Sequence, residues 1–379
     1  MNKYQLTADQ LDTWDAIRKF AHDRIAPYAR EIEESNEFPK EIFKELGAQG
    51  YLGAAQQPEY GGAGCDAVTL CLILEEISKA SGAVGNSFNT HVSLVTELIG
   101  NHGTPAQKDK YLPDLISARR MGAFGLTEPS GGSNAGAPLT RATPDGNDFL
   151  LTGSKAFITN GPIADIFVVT AKTESGVSAF ILERGMPGFD IGRPDHKMGM
   201  HGSPTSTLYF EEVRVPKENM LGPEGHGFKA FAQALDRGRV NVAALITGIA
   251  QAAYEATVVY AKDRQQFGKA IAAFQGVQFP IAEMATEIEA SRLLTLNAAR
   301  MFDAGLPIKM ESSMAKWFAA EASLRACDTA ISIHGGYGYL SDFPVERYYR
   351  DVKMYHIAEG TANIQRIVMA REILGRYPM

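Results

Sequence analysis

Glu359 is the side chain around which a reaction can be built. It stands in Ala358-Glu359-Gly360-Thr361-Ala362-Asn363, a glycine-marked break between two helical patterns, where a carboxylate can face a cleft and take a proton. Taken alone, it reads first as an acidic residue favoured by the dipole of the helix that follows. Two further patches place hydrogen-bonding and aromatic groups at short spacing. In the stretch from Phe124 through Leu126, Thr127 and Gly132 to Ser133, hydroxyls and exposed glycine amides can hold a polar cofactor. In the stretch from Lys155 through Phe157, Ile158 and Thr159 to Gly161, a ring and a hydroxyl two residues apart share one face of a strand, where the ring can cover a flat cofactor. Taken singly, each patch is better read as a loop plus a packed strand. A third patch, His334 to Tyr339, is rich in glycine and tyrosine.

Several other chemistries are excluded by pattern. Gly131-Gly132-Ser133-Asn134-Ala135 misses the G-x-S-x-G elbow and precedes strands instead of closing a strand-to-helix turn. His196, Met198, Met200 and His201 lack zinc spacing and have no cysteine beside them, so they read as a surface loop and no metal site is expected. No phosphate-cradling G-x-x-x-x-G-K-[ST] and no full G-x-G-x-x-G is present, so a nucleotide cofactor must be held in some other way.

The elements that must position these residues fall into three textures. At 379 residues the chain is long enough for two or three domains, and 45% hydrophobic with 21% charged residues is the composition of an ordinary folded protein. From Thr7 the pattern is helical, with a capping box at Thr7 and Gln10 and apolar stripes to about residue 119. From about 120 to 227 it changes to short β-branched and aromatic runs separated by Asp145-Gly146, Asn160-Gly161-Pro162 and Pro187-Gly188. Close spacing leaves no room for crossover helices, which predicts an antiparallel sheet or barrel. From 228 to 379 long helical patterns return, at roughly 228–263, 275–304, 309–333, 344–356 and 362–375, as in a bundle. The expectation is an α+β multidomain protein: an N-terminal α-helical domain (1–119), a central antiparallel β-domain (120–227) and a C-terminal four-helix bundle (228–379).

Charge and cysteine usage narrow the setting. Thirty-seven basic against 44 acidic residues, with no long basic run, argues against a nucleic-acid partner. The three cysteines form no C-x-x-C pair and leave an odd thiol, which fits a reducing compartment. The N-terminal residues lack the apolar core of a secretory signal and the arginines of a transit peptide, so a cytoplasmic location is expected. The most apolar stretch, Val240 to Ala253, is interrupted by Asn241, Thr247 and Gln251, so no membrane span is expected.

Taken together and in order, FGLTEPSGGS, KAFITNG, KMGMHGSPT, EEVRVPKENMLG, DRQQFGKAI, HGGYGY and AEGTANIQR resemble the acyl-CoA dehydrogenase family of flavoenzymes over essentially the whole chain. The resemblance implies noncovalent FAD against Phe124, Leu126, Thr127, Gly132 and Ser133 and against Phe157, Ile158 and Thr159. Arg264, Phe267, Gln275, Ser332, Gly335 and Gly336 would come from a neighbouring subunit of a homotetramer, a dimer of dimers. Thr361 and Asn363 would approach the pyrophosphate. Glu359 falls on the family's catalytic base, and Gly238 on the alternative base position, so one candidate base remains. Ser133, Asp236, Arg239 and Gly360 correspond to substrate contacts.

The implied reaction is α,β-dehydrogenation of an acyl-CoA thioester, with Glu359 taking the α-proton and flavin N5 the β-hydride. The enolate would be held by the Glu359 backbone N–H and the flavin ribityl chain. The resemblance also implies electron-transferring flavoprotein as electron acceptor and a place in fatty acid metabolism or branched-chain amino acid catabolism. SKAFIT, HGGYGYL and Asp236 to Asn241 look nearest to the short branched-chain, isobutyryl-CoA-like members. Asn134, Phe157, Ser332 and His201 depart from the commonest family pattern, and the shorter Ser332 puts its contact to a neighbour's FAD in doubt. The alternatives are a flavin oxidase of the nitroalkane-oxidase type, whose base is an Asp, the DNA-associated branch with its longer basic C-terminal domain, and a non-catalytic paralogue.

Overall fold

The computed structural model describes residues 3–376. The first third is helical: α1 (Ala8–Phe20), α2 (Ala29–Ser35), α3 (Lys40–Ala48), α4 (Ala67–Ala80), α5 (Gly82–Asn89), α6 (Glu97–His102) and α7 (Pro105–Ile116). The capping box forms as read: the Thr7 hydroxyl accepts from the Gln10 N–H at 3.2 Å, and the Gln10 side chain accepts from the Thr7 N–H at 2.9 Å. The stripe around Val92 to Ile99 differs from the expected regular helix. Between α5 and α6, residues Thr90–Thr96 form wide π-helical turns, which shift which side chains share a face.

The middle third is a sheet of eight strands: β1 (Gly122–Gly125), β2 (Arg141–Asp145), β3 (Asp148–Thr159), β4 (Ile166–Thr173), β5 (Gly176–Glu183), β6 (Phe189–Ile191), β7 (Thr205–Pro216) and β8 (Met220–Leu221). The order is β6-β7-β3-β2-β4-β5-β8, with β1 also on β4. Most pairings are antiparallel, but β1 runs parallel to β4, and β2 meets β4 in parallel at Arg141 and Lys172. The sheet is antiparallel in the main, as expected, and these two parallel pairings are an addition to that expectation. No crossover helix is needed, because the loop after β1 and the β2–β3 hairpin carry the chain back to the start of β4.

Strands β4 and β5 are buried on both faces. One face carries Phe167, Val169, Phe180 and Leu182 into the sheet's own core. The other carries Ile166, Val168 and Ile181 against Leu98, Tyr111, Leu112 and Leu115 of the first domain. These runs therefore read as continuously apolar instead of alternating.

The last third begins with α8 (Gly227–Asp263), continues through a small β9–β10 ribbon (Gln265–Gln266 and Lys269–Ala270), and is completed by α9 (Gln275–Asp303), α10 (Lys309–His334), α11 (Val345–Lys353) and α12 (Ala362–Arg376). Helix α8 packs on α4, α9 and α10, and α10 also carries α11 and α12. The length and composition of α8 would suffice for a membrane span, but 67% of its most apolar window is buried inside the protein. A helix apolar around its circumference is accounted for by burial at the centre of a bundle. The loop read as surface around Met198 is half core: Met198 is exposed, while Met200 is buried and its N–H donates to Asp351.

Candidate active site

Glu359 lies in the turn between α11 and α12, with φ at +53°, a left-handed conformation that costs a non-glycine residue energy and needs outside support. That support comes from Lys316 on α10. Its buried ammonium donates to the carbonyls of Tyr355 at 2.6 Å, Ala358 at 2.9 Å and Gly360 at 2.8 Å. Gln365 adds amide bonds to the carbonyls of Glu359 at 3.2 Å and Gly360 at 3.0 Å. A virtual side chain on Gly360, at φ +86°, would run into that amide at 2.6 Å. The turn is thus held from below by one cation and one amide, leaving the Glu359 side chain free to point away.

It points at α8 and at the segment after α5. One carboxyl oxygen, Oε1, accepts from Asn89 at 3.1 Å. The other, Oε2, is closed off from solvent and has no hydrogen-bond partner. A Cβ placed on Gly238 would sit 3.2 Å from Oε2 and 3.3 Å from a Leu94 methyl. The absent side chain at Gly238 therefore leaves the space the carboxylate occupies. Burial pushes the Glu359 pKa up to about 7, against the opposing pull of Lys316, Arg239 and the Asn89 amide. Desolvation likewise lowers Lys316 to about 8, partly offset by Glu359. A carboxyl poised near neutrality, with one oxygen unengaged, is suited to accept a proton from a weak carbon acid.

Arg239 lies beside this carboxyl, pairs with Asp236 at 2.6 Å, and keeps its Nε buried without a partner. Thr361 caps α12, its hydroxyl accepting from the Ile364 N–H at 3.3 Å, and Asn363 is exposed and bonded to Arg366. Gly360, Asp236 and Arg239 thus gather with Glu359.

A second group forms around the loop after β1. Lys155, fully buried on β3, donates to the Leu126 carbonyl at 3.3 Å, to Glu128 at 2.8 Å and to the Thr170 hydroxyl at 3.1 Å. Glu128 in turn accepts from the backbone N–H groups of Leu139 and Thr140. One ion pair therefore ties both ends of the loop that exposes Gly132 and Ser133. The Ala156 N–H also donates to the Thr127 carbonyl at 2.9 Å, joining this loop to the strand that carries Phe157.

The β3–β7 register shifts between Lys155 and Ile158, and Phe157, at φ +59°, is turned outward and is 73% exposed. Thr159 is partly exposed, whereas the Ile158 side chain is buried in the sheet core, so only its backbone can face a ligand. The ring of Phe124 stacks on Phe231 with centroids 4.5 Å apart. An exposed ring on a strained backbone, beside a loop offering Thr127, Ser133 and glycine amides, fits a flat, polar-edged cofactor such as FAD.

A third group lies elsewhere. Arg264, Gly335 and Gly336 line one cleft of about 510 Å³, and Phe267 and Ser332 line an adjoining one of about 570 Å³; neither cleft is lined by Glu359 or Gly238. Phe267 is 92% exposed at φ +53°, and Gln275 is exposed at the start of α9. These residues gather with one another and not with Glu359.

Sequence reasoning singled out neither Asn89 nor Lys316 as a site residue. Asn89 lies in a stretch that reads equally well as a core helix. Lys316 had a signal: with Ser312, Ala319, Ala320 and Ser323 it occupies the buried stripe of α10, where a lone lysine requires a partner.

Three family profiles cover the chain: acyl-CoA dehydrogenase, N-terminal domain over residues 7–119, middle domain over 123–213 and C-terminal domain over 225–374. A short-chain specific acyl-CoA dehydrogenase of Clostridium acetobutylicum is 42% identical over 375 residues, covering 98% of this chain and 99% of that one. The structure of butyryl-CoA dehydrogenase from Megasphaera elsdenii matches with a TM-score of 0.95 at 41% identity, covering 98% and 99%. A chain in the structure described as the electron transferring flavoprotein of Acidaminococcus fermentans matches with a TM-score of 0.96 at 44% identity, again covering 98% and 99%.

Proposed function

Because this chain belongs to the acyl-CoA dehydrogenase family, we propose that it oxidises a short-chain acyl-CoA to the 2,3-enoyl-CoA, with Glu359 as the base that removes the α-proton. The family is FAD-dependent and acts on acyl-CoA thioesters. The observation that carries the residue assignment is the unpartnered Oε2 of Glu359, buried against Gly238 with a pKa near 7. The FAD supplies the acceptor for the β-hydrogen, which leaves as hydride.

The chain's own part is to bind, orient and deprotonate. The Glu359 backbone N–H makes no hydrogen bond to another described residue and is available to the thioester oxygen, where negative charge develops as the α-proton departs. Thr127, Ser133 and Phe157 would hold the flavin, and Asp236 with Arg239 would meet the CoA portion. Short chain length is supported by the short-chain specific and butyryl-CoA relatives; a branched chain remains part of the proposal on the sequence resemblance.

Arg264, Phe267, Gln275, Ser332, Gly335 and Gly336 sit together on an open face away from Glu359. This supports their serving a neighbouring subunit's FAD in a homotetramer. Electron-transferring flavoprotein as acceptor is supported by the sequence resemblance and by the Acidaminococcus match. A cytoplasmic setting is supported by three free thiols, Cys65, Cys71 and Cys327.

The test is anaerobic titration of the yellow holoenzyme with butyryl-CoA, which should bleach the flavin. Glu359→Gln should keep flavin and thioester binding and lose bleaching; normal reduction by that variant defeats the assignment.

A further inference from the structure

Asn241 on α8 is fully buried, yet neither its amide oxygen nor its amide nitrogen has a partner. It lies three residues beyond Gly238 and four beyond Arg237, and so shares their side of the helix. Gly238 abuts Glu359 Oε2 and Leu94, and Arg237 reaches Glu97 at 3.1 Å. Across the seam, residues 89, 93 and 97 recur every four positions. Asn89 reaches Glu359 and Glu97 reaches Arg237, so Ser93, between them, faces the same seam. The Ser93 hydroxyl and the Asn89 amide oxygen are also buried and unpaired. Asn241, Ser93 and Asn89 thus contribute four orphaned polar atoms to the region next to the base, where Glu359 Oε2, Glu97 Oε1 and Arg237 Nε lack hydrogen-bond partners too.

Leaving a buried polar group unpaired is costly, and a methyl-ended acyl chain would leave every one of these unsatisfied. Each cation of the neighbourhood already faces a carboxylate, Arg237 with Glu97 and Arg239 with Asp236, so a substrate carboxylate would have to compete with one of them. What the Asn241 amide lacks is one donor and one acceptor, which a hydroxyl or a carboxamide supplies together. Resting on Glu359 as the base, we propose that the accepted acyl group carries a neutral hydrogen-bonding substituent toward its far end, and that Asn241 reads it.

The experiment compares pentanoyl-CoA, 5-hydroxypentanoyl-CoA, the monoamide of glutaryl-CoA and glutaryl-CoA itself by anaerobic flavin bleaching of the holoenzyme. The hydroxyl or amide thioester should exceed pentanoyl-CoA by about tenfold or more in kcat/KM, since a site built for a hydrogen bond rejects the analogue lacking it. That preference should collapse in Asn241→Leu, with FAD content checking that the variant is folded. A wild-type preference for pentanoyl-CoA or for glutaryl-CoA overturns the inference, and so does a preference that survives in Asn241→Leu. The wild-type panel decides even if the variant does not fold. Bleaching by pentanoyl-CoA alone leaves the dehydrogenase reading intact while this one fails; bleaching by none of the four overturns this inference, and butyryl-CoA run beside them decides the dehydrogenase reading separately.

Discussion

Replacing Glu359 by Gln should make the resting enzyme more stable at pH 8 while abolishing its chemistry. The carboxyl moves from an ordinary 4.5 to about 7 on folding. A group whose folded pKa is raised contributes stability that is complete below 4.5 and is lost as pH rises through 7. At pH 8 the folded protein holds a buried carboxylate it would rather protonate, at a cost of about 3 kcal/mol, taking 1.36 kcal/mol per pKa step. At pH 5 the same group is nearly neutral in the folded state, and the cost shrinks to about 1 kcal/mol. Gln keeps the Oε1 acceptor that Asn89 uses and removes the titration. Thermal unfolding of substrate-free holoenzyme, at matched protein concentration, should therefore show a gain for Glu359→Gln at pH 8 that largely vanishes at pH 5. An equal shift at both pH values, or a loss at pH 8, would refute the claim that the carboxyl is desolvated.

Three further outcomes test the surrounding scaffold. Lys316→Met removes a cation that opposes the burial of Glu359, so the rising limb of the kcat/KM profile should move above pH 7, with kcat falling at least tenfold as three carbonyls lose their donor; an unmoved limb counts against the assignment. Gly238→Ala puts a methyl 3.2 Å from Oε2, and should lower kcat about tenfold with the melting temperature nearly unchanged, measured by steady-state rates and thermal unfolding. Lys155→Met strands a buried Glu128 carboxylate, a change that costs about 3–5 kcal/mol when a buried pair is broken; flavin content after gel filtration should drop along with the melting temperature.

Much of this was legible from residue order. Thr7 and Gln10 announced the first helix, and the apolar periodicities beyond Gly227 marked the helices of the last third to within a few residues. Glu359 was visible because glycine at 238 removed its competitor and glycine at 360 marked the break. What stayed hidden depended on distant packing. The parallel β1–β4 pairing leaves no local trace, because its crossover is a hairpin and not a helix. Ile158 sits in the motif beside Phe157 yet faces inward, since the bulge at 156–157 fixes which neighbour turns out. The link from Lys316 to the 355–360 turn spans some forty residues and shows only as a lysine misplaced on an apolar stripe. Asn89 looked like core because whether an amide is buried against Val or against a carboxylate cannot be read from its own helix.

The wide turns at Thr90–Thr96 separate two duties along one rod. Upstream, Asn86 and Asn89 are phased to Tyr355 and Glu359; downstream, Leu98 and Ile99 are phased to the sheet. Deleting one residue there would restore ordinary coiling and rotate one half against the other by roughly 100°, the angle one residue subtends in an α-helix. The surplus residue acts as a clutch plate, letting the catalytic half be redesigned without dragging the structural half out of mesh.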